Sequence, residues 1–251
     1  MKILVTTKRV TDPGTKIKLK ADGSGIAADG VEFKPNPFCE NAIEAAISLR
    51  DQHGGEVIVV SIGPDEADQT IRSAVAMGCN RAIRIDGNDG GLDGDLVARA
   101  LAKLAESEQP DVFILGKQAV DGDSNQVGQL MAEYLGWPQA TFASAITVTN
   151  GGKSAQVARE VDGGIETVEV DFPAVITADL RLNEPRFASL PNIMKAKRTA
   201  IEVKTLADLG VETTLKVRTT RFEAPPGRQA GKKVADVADL VQKLRNEAKV
   251  L

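Results

Sequence analysis

The run Glu56–Ile62 (EVIVVSI) constrains this chain more than any other feature. A short, continuous apolar stretch of that kind suits a strand covered on both faces, the situation of a strand inside a parallel sheet. Ile3–Thr7, Arg81–Ile85 and Asp111–Leu115 have the same character. Helical patterns fall between them. Asn36-Pro37 opens the first, with Asn at the N-cap position and Pro at the first helical position, and Ile43, Ala46 and Ile47 give it an apolar face. Asp65–Met77 and Ser124–Leu135 are each followed by a glycine, Gly78 and Gly136, as helix ends commonly are. Leu92–Ala105 is a further helix. This rhythm predicts an α/β fold with a doubly wound, mostly parallel sheet.

Three regions break the rhythm. Thr15–Phe33 contains the alternation Lys16-Ile17-Lys18-Leu19-Lys20 and the turn Ala21-Asp22-Gly23, and reads as an inserted antiparallel hairpin. Ile146–Thr149, Thr167–Val170 and Ala174–Thr177 read as added antiparallel strands. Beyond about residue 199 periodicity fades until a last helix, Val234–Lys249. The expected organisation is an α/β domain over 1–198, including an exposed segment at 186–195, and a C-terminal arm over 199–251.

Composition narrows the chemistry. His53 is the sole histidine, so no histidine relay or multi-histidine metal site is available. Cys39 and Cys79 lie too far apart for zinc or iron–sulfur spacing, and no metal site is expected. Nine aromatic residues, seven of them Phe, are few for stacking on bases, so no nucleic-acid partner is expected. No apolar run approaches 18 residues, which argues against membrane insertion. The chain opens directly on a strand-like run. That points to the bacterial cytoplasm, or to the mitochondrial matrix for a eukaryotic protein read after processing. Residues 195–251 carry 13 basic and 7 acidic side chains, against 18 and 28 in residues 1–194. The Pro225-Pro226-Gly227 break suits a strap docked on an acidic protein surface better than a nucleic-acid-binding helix.

Three stretches carry candidate chemistry. Gly116–Gly128 (GKQAVDGDSNQVG) runs from the carboxyl end of a strand into a helix, the edge where open α/β sheets hold ligands. With Ser124 as N-cap, the free N–H groups of the first turn can hold a phosphate. Gly122 and Gly128 permit close backbone approach, and Asp121 and Asp123 must point away from any anion. The alternative is an ordinary capped helix with Gly128 packed on the sheet, and spacing does not separate the two. Asn36–Glu40 begins another helix on the same edge, where simple capping and a small buried Cys39 explain the residues. In Arg159–Arg198, the apolar residues Leu180, Leu182, Phe187, Leu190, Ile193 and Met194 follow no helical or strand period, and Pro185 and Pro191 stiffen the chain. An apolar side chain on a stiff exposed loop is a good interface anchor; a loop folded on its own side chains is the plainer alternative.

Lys8-Arg9-Val10, Asn36–Glu40, Gly116-Lys117-Gln118-Ala119, Asp121–Gly128, Trp137-Pro138-Gln139 and above all Asp179-Leu180-Arg181-Leu182-Asn183-Glu184-Pro185-Arg186 through Ala196 resemble the beta subunits of electron transfer flavoprotein over essentially the whole chain. The resemblance implies a heterodimer with an alpha subunit that carries most of the FAD contacts, and a structural AMP held by the beta subunit. It also implies electrons taken from flavin dehydrogenases, such as acyl-CoA dehydrogenases in fatty acid oxidation, and passed to the respiratory quinone pool through a membrane oxidoreductase. It places the AMP site at Thr6, Asn36, Pro37, Phe38, Cys39 and Ile62, and at Asp121, Gly122, Asp123, Ser124, Asn125, Gln126, Val127, Gly128 and Gln129. It places partner contacts at Arg186, Phe187, Leu190, Pro191, Ile193, Met194 and Lys195, with Glu160 helping to set the flavin domain and Phe38 near the flavin. Such a subunit is an electron carrier, not an enzyme. The sequence departs from the family at Pro13, where mammalian members have a tyrosine near the flavin, and at Arg198, where some members carry a methylated lysine. Two other readings are an electron-bifurcating form with a second FAD in the AMP site, and a nucleotide-binding sensor of the universal stress type. The Ser124–Gln129 stretch resembles the AMP-binding group more than the first, and the 179–198 run argues against the second.

Overall fold

A computed structural model of the chain describes residues 1–27, 29–228 and 230–251. Ala28, inside the expected hairpin, and Gln229, inside the expected arm, lie outside the described residues. Two compact units emerge: Met1–Ile17 with Ala27–Thr219, and Lys18–Ile26 with Thr220–Leu251.

The larger unit is a nine-stranded sheet with helices on both faces. In chain order its elements are β1 (Lys2–Thr6), β2 (Arg9–Thr11), β3 (Phe33–Pro35), α1 (Pro37–His53), β4 (Glu56–Gly63), α2 (Asp68–Met77), β5 (Arg81–Asp86), α3 (Gly94–Glu108), β6 (Val112–Gly116), α4 (Val127–Leu135), β7 (Gln139–Thr149), β8 (Ser154–Val161), β9 (Gly164–Asp171), β10 (Ala174–Ala178), α5 (Leu190–Arg198) and β11 (Glu202–Thr205). The sheet order is β11-β5-β4-β1-β6-β10-β7-β8-β9, and β2 pairs with β3 in a separate two-stranded ribbon. Every pairing from β11 to β7 is parallel, and β8 and β9 join antiparallel. Isoleucines and valines of β1 and β4 alternate between the faces. Ile3, Val5, Val57 and Val59 meet Ile43, Ile47 and Ile71 of α1 and α2. Leu4 and Ile58 meet Leu96, Leu104 and Met131 of α3 and α4. Each such side chain, fully buried, contributes about 1.5–3 kcal/mol relative to exposure. No helix among the described residues is long and apolar enough to cross a membrane.

The doubly wound, mostly parallel plan is as expected, with several differences. Among its described residues the 15–33 segment forms no hairpin of strands: the antiparallel stem is β2 with β3, and within the smaller unit Leu19 and Ile26 make one isolated bridge. Its alternating run carries only two apolar residues, and Ile17 stays 39% exposed, so it has no face to bury. β10, expected antiparallel, runs parallel to both β6 and β7. The 186–195 loop is partly helical, as α5, with the Ser189 side chain capping its first turn. The sheet-forming unit runs on to Thr219, past the expected boundary at 198, because β11 pairs with β5 and Val211 is buried. Finally, α4 begins at Val127, not Ser124: Asp123 (φ 49°) and Asn125 (φ 45°) adopt left-handed backbone that a helix cannot contain.

The smaller unit contains a turn closed by Lys20 N donating to Gly25 O at 2.9 Å, and the short helix α6 (Val237–Lys243), capped by Asp236. The expected helix 234–249 is thus shorter, continuing only as one wide turn over Leu244–Ala248.

Candidate functional site

In the sheet order β1 stands between β4, the next strand of this sheet along the chain, and β6, which comes only after β4 and β5. The carboxyl ends of β1 and β6 therefore bound the crevice where open α/β sheets take ligands. Three segments are tied together there by one residue. Asn36 is 1% exposed and makes no side-chain cap for α1. Instead its Nδ2 donates to Gln118 O at 2.8 Å, its Oδ1 accepts from Val120 N at 3.1 Å, and its backbone N donates to Lys8 O at 2.9 Å. The plain capping reading of Asn36 is therefore replaced: the residue staples the start of α1 to the loop after β6. Gly116 makes this approach possible, since a Cβ there would lie 2.7 Å from the Phe38 carbonyl carbon and 2.9 Å from Cys39 N.

Around that junction the structure brings together Thr6, the 36–39 segment and the 117–123 loop. Phe38 and Cys39 are buried, and burial pushes the Cys39 thiol pKa up, so it is a small apolar neighbour rather than a nucleophile. Of the two aspartates, Asp121 is paired with a cation and Asp123 is held by a neutral amide. Lys8 Nζ holds Asp121 at 2.8 Å and Gln118 Nε2 donates to Asp123 at 2.7 Å. The hydroxyl of Ser124 turns back on Gly122 O, and α4 has no side-chain cap, unlike α3, α5 and α6. Among the described residues the N–H groups that open α4 have no acceptor beyond the helix itself, the arrangement that receives an anion. Gly128 is the second residue of α4, not an interior one. Its buried face lies on Thr177 and Leu115, so packing on the sheet explains why it is glycine. Gln126 turns toward Gly94 at the start of α3. Ile62, at the end of β4, packs on the α3–α4 face.

Several polar atoms here stand without partners; Gln129 was among the sequence candidates, and Thr7 and Ser61 were not. Thr7 Oγ1, Ser61 Oγ and Gln129 Oε1 are buried with no hydrogen-bond partner among the described residues. Buried polar atoms are seldom left so. Thr7 follows β1 and Ser61 lies on β4, beside each other across the Thr6–Val60 register. The serine inside an otherwise apolar run, EVIVVSI, was the available signal. Next to the crevice, Lys117 Nζ pairs with Asp179 at 2.7 Å between the rings of Phe38 and Phe142, at 5.4 and 5.1 Å. Burial raises the Asp179 pKa, but Lys117 and the Arg181 N–H outweigh it and leave the carboxyl below the usual range. Phe142 takes a left-handed φ of 61° in the bulge of β7, its N–H held by Thr177 Oγ1 at 3.0 Å.

The other candidate residues lie apart from the crevice, on the segment that crosses α1 and α2. Phe187 is 97% exposed and Leu190 72%, with Ile193 and Met194 partly so, and Pro191 and Lys195 are exposed on α5. Arg186, expected to contact a partner, is turned onto its own chain: its Nε and Nη2 reach Glu44 at 2.8 and 2.9 Å, and Nη1 reaches Asp51 at 3.3 Å. Glu160 pairs with Arg181 at 2.5 Å. A groove of about 770 Å³ opens between this segment and α1–α2, lined by Met77, Phe187, Ala188 and Ile193 and edged by Arg72 and Lys197.

Comparison with known proteins gives a consistent result. The family profile of the electron transfer flavoprotein domain matches residues 24–209. The electron transfer flavoprotein subunit beta of Bradyrhizobium diazoefficiens is 53% identical over 254 aligned positions, covering 100% of both chains. That of Mus musculus is 50% identical, covering 100% of this chain and 99% of its own. The Arabidopsis thaliana relative, named as a mitochondrial beta subunit, is 48% identical and covers 100% of both. A parallel sheet with an edge crevice, the 179–196 motif on an exposed segment and half-identity along the full length agree: this chain belongs to the electron transfer flavoprotein family, among its beta subunits.

Proposed function

We propose that this chain pairs with an alpha subunit to form an electron carrier, holds AMP in the crevice between β1 and β6, and presents residues 186–195 to flavin dehydrogenases. One observation carries the AMP reading: an uncapped α4 and the unpartnered Thr7, Ser61 and Gln129 atoms all sit on the carboxyl edge whose aspartates are already held. A ligand with an anionic group and a ring bearing both donors and acceptors suits that set. The backbone of Ser124–Gln129 takes its phosphate, and Thr6, Asn36–Cys39 and Ile62 wall the remainder. FAD, held mainly by the alpha subunit, supplies the redox chemistry when bound. This chain's part is to shape the face against that flavin, with Phe38 under the Lys117 ammonium and Glu160 fixed by Arg181. Electrons then pass to the quinone pool through a membrane oxidoreductase. The dehydrogenases that dock here are of the acyl-CoA class, on a surface where Lys195, Lys197 and Arg198 ring the exposed Leu190 and Met194 and call for an acidic counterpart.

The test is to purify the complex, denature it and quantify what it releases. One AMP and one FAD per heterodimer is expected. Two FAD and no AMP would replace the AMP reading by a second-flavin form. Nucleotide without flavin or a second chain would replace the carrier by a sensor.

A further inference from the structure

Two polar side chains of α1 are buried without serving the core or the crevice. Asn41 is 4% exposed and Glu44 7%. Glu44 Oε2 accepts from Arg186 N at 3.1 Å and Nε at 2.8 Å, and its Oε1 from Arg186 Nη2 at 2.9 Å and Ser48 Oγ at 3.0 Å. Burial raises the pKa of this carboxyl, but the bonds from Arg186 and Ser48 outweigh it and leave it lowered, so Glu44 is charged at neutral pH. Asn41 Nδ2 donates to Asn183 O at 2.7 Å and Leu180 O at 3.2 Å, and Asn183 Nδ2 returns a bond to Asn41 O at 2.9 Å. At the far end Arg72 of α2 donates to the carbonyls of Ala196, Thr199 and Lys197 at 2.7, 3.1 and 3.2 Å. The segment is therefore fastened at its start, near its middle and at its end. Phe187, Leu190, Ile193 and Met194 project between the last two fastenings.

We infer that Glu44 and Asn41 are positioning residues for docking: they hold the 180–198 segment in the shape in which it meets a flavin dehydrogenase, an inference that rests on the docking role proposed above. A buried carboxylate needs compensation, and a buried ion pair is weak evidence of a stabilising role, since replacing the whole pair with packed apolar residues is often no loss to stability. Its place on α1 is explained if the ordered segment is what matters. Side chains and loops ordered before encounter do not have to be ordered during it, and that saving appears as affinity. Leu190 and Phe187 supply the contact area, and Glu44 touches neither.

The experiment uses the heterodimer and follows steady-state electron acceptance from an acyl-CoA dehydrogenase against carrier concentration. Glu44→Gln keeps the shape and removes the charge. Its KM rises about tenfold, the loss of one charge-assisted bond's worth of ordering, while kcat, nucleotide content and Tm stay near wild type. Asn183→Ala, which loosens the separate Asn41 fastening, raises KM in the same direction without touching a buried charge. Because Glu44 acts through Arg186, the double variant Glu44→Gln/Arg186→Gln is no worse than Arg186→Gln alone. Leu190→Ala is the reference for docking itself. If Leu190→Ala raises KM and neither Glu44→Gln nor Asn183→Ala does, the positioning inference is wrong and the docking role stands. A lower Tm at unchanged KM would show that Glu44 is merely structural. If Leu190→Ala also leaves KM unchanged, the docking role fails, and the inference fails with it.

Discussion

Adding one methyl group at Gly116 tests the construction of the crevice. A Cβ there would lie 2.7 Å from the Phe38 carbonyl carbon, 2.8 Å from Phe38 Cβ and 2.9 Å from Cys39 N. Two of these three atoms are backbone, so no rotamer change relieves the clash. The start of α1 must back away by roughly half an ångström or more to restore ordinary contact. Asn36 resists, because its bonds to Lys8, Gln118 and Val120 span only 2.8–3.1 Å. Overpacking of this kind costs about 1–3 kcal/mol, and a strained pair of side-chain bonds adds about 1 kcal/mol. For a chain of this size, about 2–4 kcal/mol corresponds to a Tm drop of roughly 5–15 °C. Gly116→Ala should show that drop in a thermal melt and should lose nucleotide on gel filtration of the heterodimer. Gly122→Ala is the matched control. Its Cβ would meet only Ser124 Oγ, at 3.8 Å, so it should stay within about 0.5 kcal/mol of wild type. A Gly116→Ala protein that melts like wild type and keeps its full nucleotide would refute the close-approach argument.

Gly128→Ala places a Cβ 2.5 Å from Thr177 Cγ2, and Thr177 is buried with its hydroxyl engaged by Phe142 N, so urea unfolding should show a loss of about 1–3 kcal/mol even before any effect on a phosphate. Asp95 has its carboxyl pKa held down to about 2, chiefly by the Tyr134 hydroxyl, then, against the cost of burial, by Arg99 and Lys216. The unfolded chain takes up that proton first, so the stability it confers is complete above about pH 4 and is lost as pH falls toward 2. Asp95→Asn should therefore lower the urea midpoint by a constant amount at pH 5–7, with the difference shrinking below pH 4. A difference that grows on acidification would reverse the assignment. Ending the chain after Thr219 should leave the Tm of the sheet-forming unit unchanged but lose the alpha subunit in co-purification. Ending it after Arg198 should also lower Tm, since it removes β11 and buried Val211.

The parallel core was legible because its signal is local. Glu56–Ile62 and its counterparts are apolar on both faces, and only a covered parallel sheet satisfies that pattern. The direction of β10 was not legible, because Ala174–Thr177 reads equally well in either sense and is fixed by β6 and β7 as neighbours. The start of α4 was misplaced because Ser124 is a good cap by residue type. The left-handed backbone at Asp123 and Asn125 goes with local side-chain contacts, Gln118 with Asp123 and Gln129 with Asn125, that residue type alone does not specify. Asn36 reads as a cap for a different reason: its partners Gln118 and Val120 lie more than eighty positions away. Loop 186–195 lacked period because α5 is one-sided. It buries Ala196 alone and shows the rest to solvent, so its apolar residues follow no core face of this chain.

The helix α1 joins what sequence spacing keeps apart. Asn36, Phe38 and Cys39 at its start close the crevice against Gly116, and Asn41 and Glu44, one and two turns on, fasten the 180–198 segment. Between them Ala42, Ile43, Ala46 and Ile47 seat the helix on the sheet with no exposed surface to speak of. At 1.5 Å per residue, Asn36 and Glu44 are only about 12 Å apart along one rigid element. A buried helix does not bend at so short a range, because its packed face resists displacement as a body. Whatever moves its first turn therefore moves the footing of Arg186 and Asn183 as well. The Gly116→Ala variant consequently makes a second demand on the reasoning. Its KM for the dehydrogenase should rise along with its nucleotide loss, whereas Gly122→Ala, whose methyl meets neither α1 nor the 180–198 segment, should leave KM unchanged. A Gly116→Ala complex that lost its nucleotide yet docked at wild-type KM would show that α1 yields locally and that the two sites are independent.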